Sequence, residues 1–312
     1  MIGRIATFSE VNYLMTLDMG TQSQMTTAQT QEASGLKALT YGGLGTDVGQ
    51  VLNLQNQITS LTADGTDATQ ALSGMQETYS VLGSATTLGT SMLTTLTSYM
   101  STSTTDTSTI ANSAATWLTE LTSLANTQYG GSYLFSGTSA TIAPVDTSSA
   151  SYTAATDGSN TGYYQGGSGT SYTGSDGYTV STSVQADNPG FAKLFNALSL
   201  IASAASTASS SSSTTDSTAL SAALSSAYSL IQTGDTELAQ TQATVSSNTA
   251  ALTAYQTNAS DKATTLQTLA TTLTGSDIAT ATVQVTTLQT QLEASYQTVT
   301  KLMSASLAQY LS

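Results

Sequence analysis

The chain has no cysteine and no histidine among its 312 residues. Without Cys there is no disulfide and no thiol chemistry. Without His the commonest general base and metal ligand is missing, and neither a Ser-His-Asp nor a Cys-His site can be built. Proline occurs twice, at Pro144 and Pro189, so the two ends of the chain are free of the usual helix breaker. Charge is scarce as well. Only 8% of residues are Asp, Glu, Lys or Arg, against about a quarter in ordinary soluble domains. The basic side chains number five (Arg4, Lys37, Lys193, Lys262, Lys301) and the net charge is −14. That excludes the cationic footprint of a nucleic-acid binder and argues against docking on an anionic membrane. No apolar run approaches the ~18 residues of a membrane span, so no membrane insertion is expected. The stretch Met1–Phe8 lacks a charged segment leading into an apolar run, so no Sec-type signal peptide is expected.

What remains is mostly Ser, Thr, Ala and Leu, arranged with a clear period. Ile278, Val285, Leu292 and Val299 recur every seven residues, with Ala281, Leu288, Tyr296 and Met303 beside them. Leu54, Leu61, Ala68, Met75, Leu82 and Leu96 share a second register, flanked by Val51, Ile58, Leu72 and Tyr79. A seven-residue apolar stripe must bury one seam against another helix. The expected fold is therefore mainly α: an elongated antiparallel helical bundle made by both termini, with a small β-rich domain inserted in the middle. The seam residues expected to drive association are Ile278, Val285, Leu288, Leu292, Tyr296 and Val299 near one end, and Leu54, Leu61, Met75 and Leu82 near the other.

Helix is expected over 1–34, from about Val48 to 100, over 109–128, from Phe191, and again through Leu220–Ile231, Leu238–Leu273 and Ile278–Tyr310. Thr46-Asp47, Asp106 and Ser276-Asp277 are the cap candidates. The Ser/Thr runs at 101–108 and 202–218 read as loop, or in the second case as loop or weak helix. Between 129 and 190 the character changes. Tyr133-Leu134-Phe135, Tyr152, Tyr163-Tyr164, Tyr172 and Tyr178-Thr179-Val180 are β candidates, divided by Asp157-Gly158, Gly166-Gly167 and Asp176-Gly177. Asx-Gly pairs between β-formers signal turns, and no carboxylate series at calcium-loop spacing follows them.

Nothing in the chain assembles a reaction centre. Glu10, Glu32, Glu77, Glu120, Glu237 and Glu293 are scattered, and Gly42-Gly43-Leu44-Gly45 follows a helix without a partner Lys. No catalytic, cofactor or metal site is expected. The tyrosines of the middle segment could stack on sugars, although packing of the small sheets is the simpler use for them.

Several segments carry a resemblance. Ala33-Ser34-Gly35-Leu36-Lys37, then Gly45-Thr46-Asp47-Val48-Gly49, is similar to an N-terminal signature of the flagellin superfamily, with Lys in place of Arg and one acid of a pair retained. Leu124–Thr127 with Gly131–Thr138 (GSYLFSGT), and Tyr163–Gly166 (YYQG) with Asp176–Val180 and Ala186-Asp187, resemble segments of hook-associated protein 3, the hook–filament junction family. Ala294-Ser295-Tyr296 with Leu302, Ser306-Leu307 and Tyr310-Leu311 looks like the flagellin C-terminus. The resemblance implies terminal coiled-coil segments at 1–40 and 273–312, a helical rod from 41–137 and 190–272, and a solvent-facing insert at 138–189 that the rod does not need. It also implies a secreted structural subunit without enzymatic activity, leaving through the flagellar type III pathway and residing in the extracellular flagellum. The implied partners are further copies of itself, other hook-associated proteins, flagellin and an export chaperone. Two alternatives stay open: a filament flagellin proper, and a flagellin-like surface protein that binds glycans through Tyr163 and Tyr164.

Overall fold

The computed structural model describes residues 2–101, 106–153, 155–210 and 214–311. In chain order it forms α1 (Ile2–Ser34), a 3-10 segment (Tyr41–Asp47), α2 (Val48–Ser101) and α3 (Thr107–Ala125). Four short strands follow: β1 (Gln128–Tyr129), β2 (Ser132–Tyr133), β3 (Ser171–Thr173) and β4 (Thr179–Ser181). The chain then runs through α4 (Pro189–Ser210), α5 (Thr214–Thr274) and α6 (Ile278–Leu311). β1 pairs antiparallel with β2, and β3 with β4. Helices thus dominate, with two small hairpins between them. The residues fall into two compact units: Met1–Ser60 with Asp261–Ser312, and Leu61–Ser260.

Along the helices the Thr hydroxyls turn back onto the backbone. Thr59, Thr66, Thr69, Thr86 and Thr94 on α2 each donate to the carbonyl four residues back. This satisfies the hydroxyl locally and leaves the methyl group outward. Ends are set by named caps. The Asp106 carboxylate accepts from Ser108 N at 3.1 Å, and these bonds hold its pKa below the usual carboxylate range. Asp277 does the same for α6 through Ala279 N at 3.0 Å. Gly35 ends α1 with φ +68°, a conformation that L residues rarely adopt.

Two expectations need correction, on the helix count and on the strands. The stretch read as two helices on either side of Gly234 is one helix of 61 residues, α5. Gly234 does not break it because a Cβ there would press on Gly190 O and Leu194, so the glycine serves a close crossing with α4. The low-complexity stretch is helical up to Ser210 and again from Thr214, while residues 211–213, like 102–105 of the loop before α3, lie outside the described residues. Tyr152 and Tyr163 are not in strands, and Tyr164 makes only a single bridge to Val145.

Within the second unit α2 and α5 run antiparallel, with Gln242 Nε2 donating to Tyr79 O at 3.1 Å and Gln256 Nε2 to Thr69 Oγ1 at 2.6 Å. Met75, Leu82, Met92 and Leu96 of α2 share a core with Ile110 and Leu121 of α3, Phe191, Phe195 and Leu198 of α4, and Ile231, Leu238 and Leu252 of α5. Segment 138–189 does not stand apart from this core. Tyr163 is fully buried, with its ring 4.4 Å from Phe195 and its hydroxyl donating to Ala186 O at 2.9 Å. Tyr172 donates to Asp64 O of α2 at 2.9 Å, and Tyr178 lies parallel on Tyr255 of α5 at 4.7 Å. These aromatic residues are the pegs that fix the segment to the helices.

Three side-chain oxygens in this unit are buried without a hydrogen-bond partner among the described residues: Thr122 Oγ1, Glu237 Oε2 and Asp235 Oδ1. The Asp235 carboxylate sits where Gly89 leaves room for it. Burial pushes its pKa up from 3.8 to about 6. Below pH ~4 the acid is neutral in both folded and unfolded chains. Between about 4 and 6 the unfolded chain ionises first, so this group's contribution to stability falls as pH rises, and stays low above 6. Asp235→Asn is therefore expected to raise the unfolding midpoint at pH 7 and to leave it nearly unchanged at pH 3.5, read from thermal melts of both proteins.

Candidate assembly surface

In the first unit α1 and α6 pack as an antiparallel pair. On α1 the positions Val11, Leu14, Asp18, Thr21, Met25 and Ala28 recur at three and four residues, and all are buried or half-buried. On α6 the matching set is Ala281, Val285, Leu288, Leu292, Ser295, Val299 and Leu302. Spacings of three and four close one seam per helix, as in a coiled coil. Two bonds fix the register: Gln22 Nε2 to Tyr296 Oη at 2.5 Å, and Thr282 Oγ1 to Glu32 Oε1 at 2.9 Å. At the closed end Lys37 N donates to Thr274 O and Ser276 N to Gly35 O, both at 2.8 Å.

This pairing leaves a second apolar set uncovered. Tyr13, Met15, Leu17 and Met19 on α1, and Ile278, Val283, Tyr296 and Met303 on α6, are 48–65% exposed. Scattered exposed apolar residues are ordinary, but eight large ones on one pair of helices make a surface that favours cover. Beside it a groove runs between the helices. Ala28, Val283 and Leu288 line it together with Ser23, Gln24, Thr27, Gln31, Gln284 and Thr287. Its lining is amide, hydroxyl and alkyl, without a charged group. It offers shape and hydrogen bonds, and nothing that could carry acid–base chemistry.

The predicted seam residues thus separate into three kinds. Val285, Leu288, Leu292 and Val299 face α1, with Leu292 buried at 6% exposure. Ile278 and Tyr296 point outward. Met75 and Leu82 lie inside the core of the second unit, Leu54 is buried in the first, and Leu61 is half-buried. Heptad counting missed Tyr13, Met15, Leu17, Met19 and Val283. The available signal was Tyr13-Leu14-Met15-Thr16-Leu17-Asp18-Met19, where apolar residues alternate and so reach every side of a helix.

In the second unit the resemblance-bearing segments converge on one clasp. The Asn126 side chain brackets Val145, accepting from its N at 2.9 Å and donating to its O at 3.0 Å. Phe135 is buried against Phe191 at 5.3 Å, and its carbonyl accepts from Ala186 N at 3.0 Å. Thr138 N donates to Ser168 O, and Gly167 N to Ser136 O, both at 2.8 Å. Tyr164 spends its hydroxyl on Gly167 O at 2.7 Å and is half-buried, while Tyr163 is wholly inside. These two tyrosines hold loops together and present no stacking platform for a sugar. Burial raises the pKa of both above the ordinary tyrosine value, so they stay neutral.

No family model matches the chain, and no curated protein matches it by sequence. Among solved structures it is similar to a protein assigned as flagellar hook-associated from Vibrio parahaemolyticus, with a TM-score of 0.59 at 16% identity, over 72% of this chain and 96% of that one. FlgL from Bacillus cereus aligns at a TM-score of 0.47 and 16% identity, over 66% of this chain and 98% of that one. At such identity the Vibrio likeness establishes a shared fold.

The clasp makes a sharp demand at Gly137. Its φ is +61°, and a Cβ there would lie 2.2 Å from Ser168 O. Gly137→Ala is expected to lower the unfolding free energy by about 2–4 kcal/mol, the sum of left-handed strain and a backbone clash. Gly130→Ala, at φ +59° but with open space around it, is expected to lose only the strain, about 1–2 kcal/mol. Denaturant unfolding of both variants checks the difference.

Proposed function

We propose that this chain is a structural subunit of the bacterial flagellum, and specifically a hook–filament junction protein that assembles through its terminal helices. The observation that carries the reading is the outward apolar set on α1 and α6, which the chain does not cover by itself. The shared fold supports it, and so do the GSYLFSGT and YYQG segments, which favour the junction family over a filament flagellin. The partners are further copies of the chain, the hook-associated and flagellin subunits on either side, and before export a chaperone that shields the same face. Neither nucleic acid nor membrane is a partner, and the chain is not an enzyme. The site of action is extracellular, reached through the flagellar type III pathway.

Magnitudes make the mechanism plausible as a polymerisation. Fully burying one Val, Leu or Met yields about 1.5–3 kcal/mol, so a half-exposed one yields roughly half of that. Eight such residues then contribute on the order of 10 kcal/mol, close to the ~4–15 kcal/mol cost of association. A single contact would be marginal, and several neighbours per subunit would make it stable. Identical subunits joined by unlike surfaces propagate helically instead of closing as a dimer. Charge has little part in it. Lys193–Glu237 is the sole ion pair recorded among the described residues, and it lies within the second unit.

Immunogold labelling on whole flagella tests the assignment: label confined to the hook–filament boundary is expected, whereas label along the filament would make the chain a flagellin. The surface itself is tested by Val283→Asp. Val283 is 65% exposed, so the monomer's unfolding midpoint should stay within about 0.5 kcal/mol of the parent. Incorporation into flagella should be lost.

A further inference from the structure

The groove between α1 and α6 and the exposed methionines of α1 lie on opposite flanks of that helix. The groove has a volume of about 470 Å³. Ala28 and Leu288 line it from the seam, buried and half-buried, while Gln24, Thr27, Val283 and Gln284 are exposed along it. An α-helix turns once in about 3.6 residues. Tyr13 and Leu17 precede Gln24 by eleven and seven residues, close to three and two whole turns, so they continue the flank of the groove towards the N-terminus. Met15 precedes Gln24 by nine residues, about two and a half turns, and so projects from the opposite flank, with Met19 one turn after it. Met15 and Met19 are 53% and 63% exposed. One flank of α1 is thus concave and the other carries two flexible apolar side chains.

Neither flank exposes a charge. Over 11–31 of α1 and 278–292 of α6 the one charged residue is Asp18, which is 8% exposed. Copies with a net charge of −14 repel one another, and this uncharged window lets two of them meet without bringing carboxylates together. A small ligand would need a few convergent polar groups to orient it. The groove has spent most of its own: Gln31 Nε2 donates to Lys37 O, Thr27 Oγ1 to Ser23 O and Thr287 Oγ1 to Val283 O. What it offers is mainly alkyl surface, which suits an unbranched thioether side chain that adapts to an irregular gap. We infer that the groove is the seat for Met15 and Met19 of a second copy of this chain. The inference deepens the assembly role proposed above and rests on it. The α1–α6 pair stays intact throughout. Because seat and occupant lie on opposite flanks, each docked copy keeps one of each free, and the contact repeats from copy to copy without closing as a dimer. The seat is centred about ten residues beyond the methionines, so parallel copies are offset by roughly 15 Å along α1 at about 1.5 Å per residue.

The chain has no cysteine of its own, so disulfide trapping between copies reads this contact directly. Full-length Met19→Cys and Thr27→Cys copies are expressed together, incorporated into flagella and oxidised. A disulfide forms only where the two Cα atoms come within about 7 Å. A linked dimer is expected from the mixture. None is expected from either variant alone, nor from Met100→Cys mixed with Thr27→Cys, since Met100 is exposed but lies outside the pair. A dimer from Met19→Cys alone would show like flanks meeting and would overturn the inference, as would incorporation of the mixture without a dimer. Hydroxyl-radical footprinting of the unmodified chain gives a second reading that needs no variant. On assembly, residues 23–31 and 283–288 should become protected together with Met15 and Met19. Protected methionines beside a groove that still reacts would also overturn the inference, while leaving the assembly role standing. Failure of the unmodified chain to incorporate into flagella at all would overturn the assembly role itself.

Discussion

A helix that is apolar on more than one side cannot bury itself against a single partner. α1 meets this constraint directly. Val11, Leu14, Met25 and Ala28 turn toward α6, and Tyr13, Met15, Leu17 and Met19 are left facing out. α6 repeats the arrangement, with Val285, Leu288 and Leu292 inward and Ile278, Val283, Tyr296 and Met303 outward. Few charged side chains stand between these residues to make the outward face content in water. The function proposed here follows from that imbalance, because an added layer of identical helices is the direct way to remove it.

The second unit leaves fewer large apolar residues exposed over a longer span: Tyr79, Met100, Tyr129 and Ile142. Its helices close a continuous core of Met, Leu, Ile and Phe, and the segment between α3 and α4 is drawn into it by Phe135, Tyr163 and Tyr172. Hydroxyl groups supply what charge does not: tyrosines end on backbone carbonyls, threonines on the carbonyl one turn back, and Asn126 and Asn196 on loop backbone. Interactions of this kind are insensitive to ionic strength, unlike surface ion pairs. They leave the folded unit dependent on burial and on close backbone approach at a few glycines.

Much of the helical architecture was legible in the amino-acid order. Proline-free ends and the Asp106 and Asp277 caps give element bounds that agree with the structure to within a few residues. α5 was not legible as one helix, because the reason Gly234 is tolerated lies in its crossing with α4, which no local pattern encodes. The role of the tyrosines was half legible. Alternating Tyr, Gly and Ser signalled β turns, yet whether an aromatic ring points to solvent or to a neighbouring helix is decided by tertiary contacts such as Tyr163 on Phe195. On the candidate surface, period-seven counting named the buried or half-buried Val285, Leu288, Leu292 and Val299 of α6 together with the exposed Ile278 and Tyr296, and missed Val283 and the four exposed residues of α1. The missed residues alternate along α1 and so fall on more than one side of the helix, which a one-register reading hides.

The central claim is that the outward face of α1 and α6 is open in the free subunit and covered in the assembled one. Methionine oxidation reads this residue by residue, since a thioether reacts where it is exposed. Met15, Met19 and Met303 are 53–63% exposed, Met75 and Met92 are buried at 0–1%, and Met100, outside the face, is 47% exposed. Dilute peroxide followed by peptide mass spectrometry should oxidise the first three and Met100 in the monomer and spare Met75 and Met92. In the assembled structure Met15, Met19 and Met303 should become protected while Met100 serves as the reference. Equal oxidation of Met15 and Met19 in monomer and assembly would contradict the account.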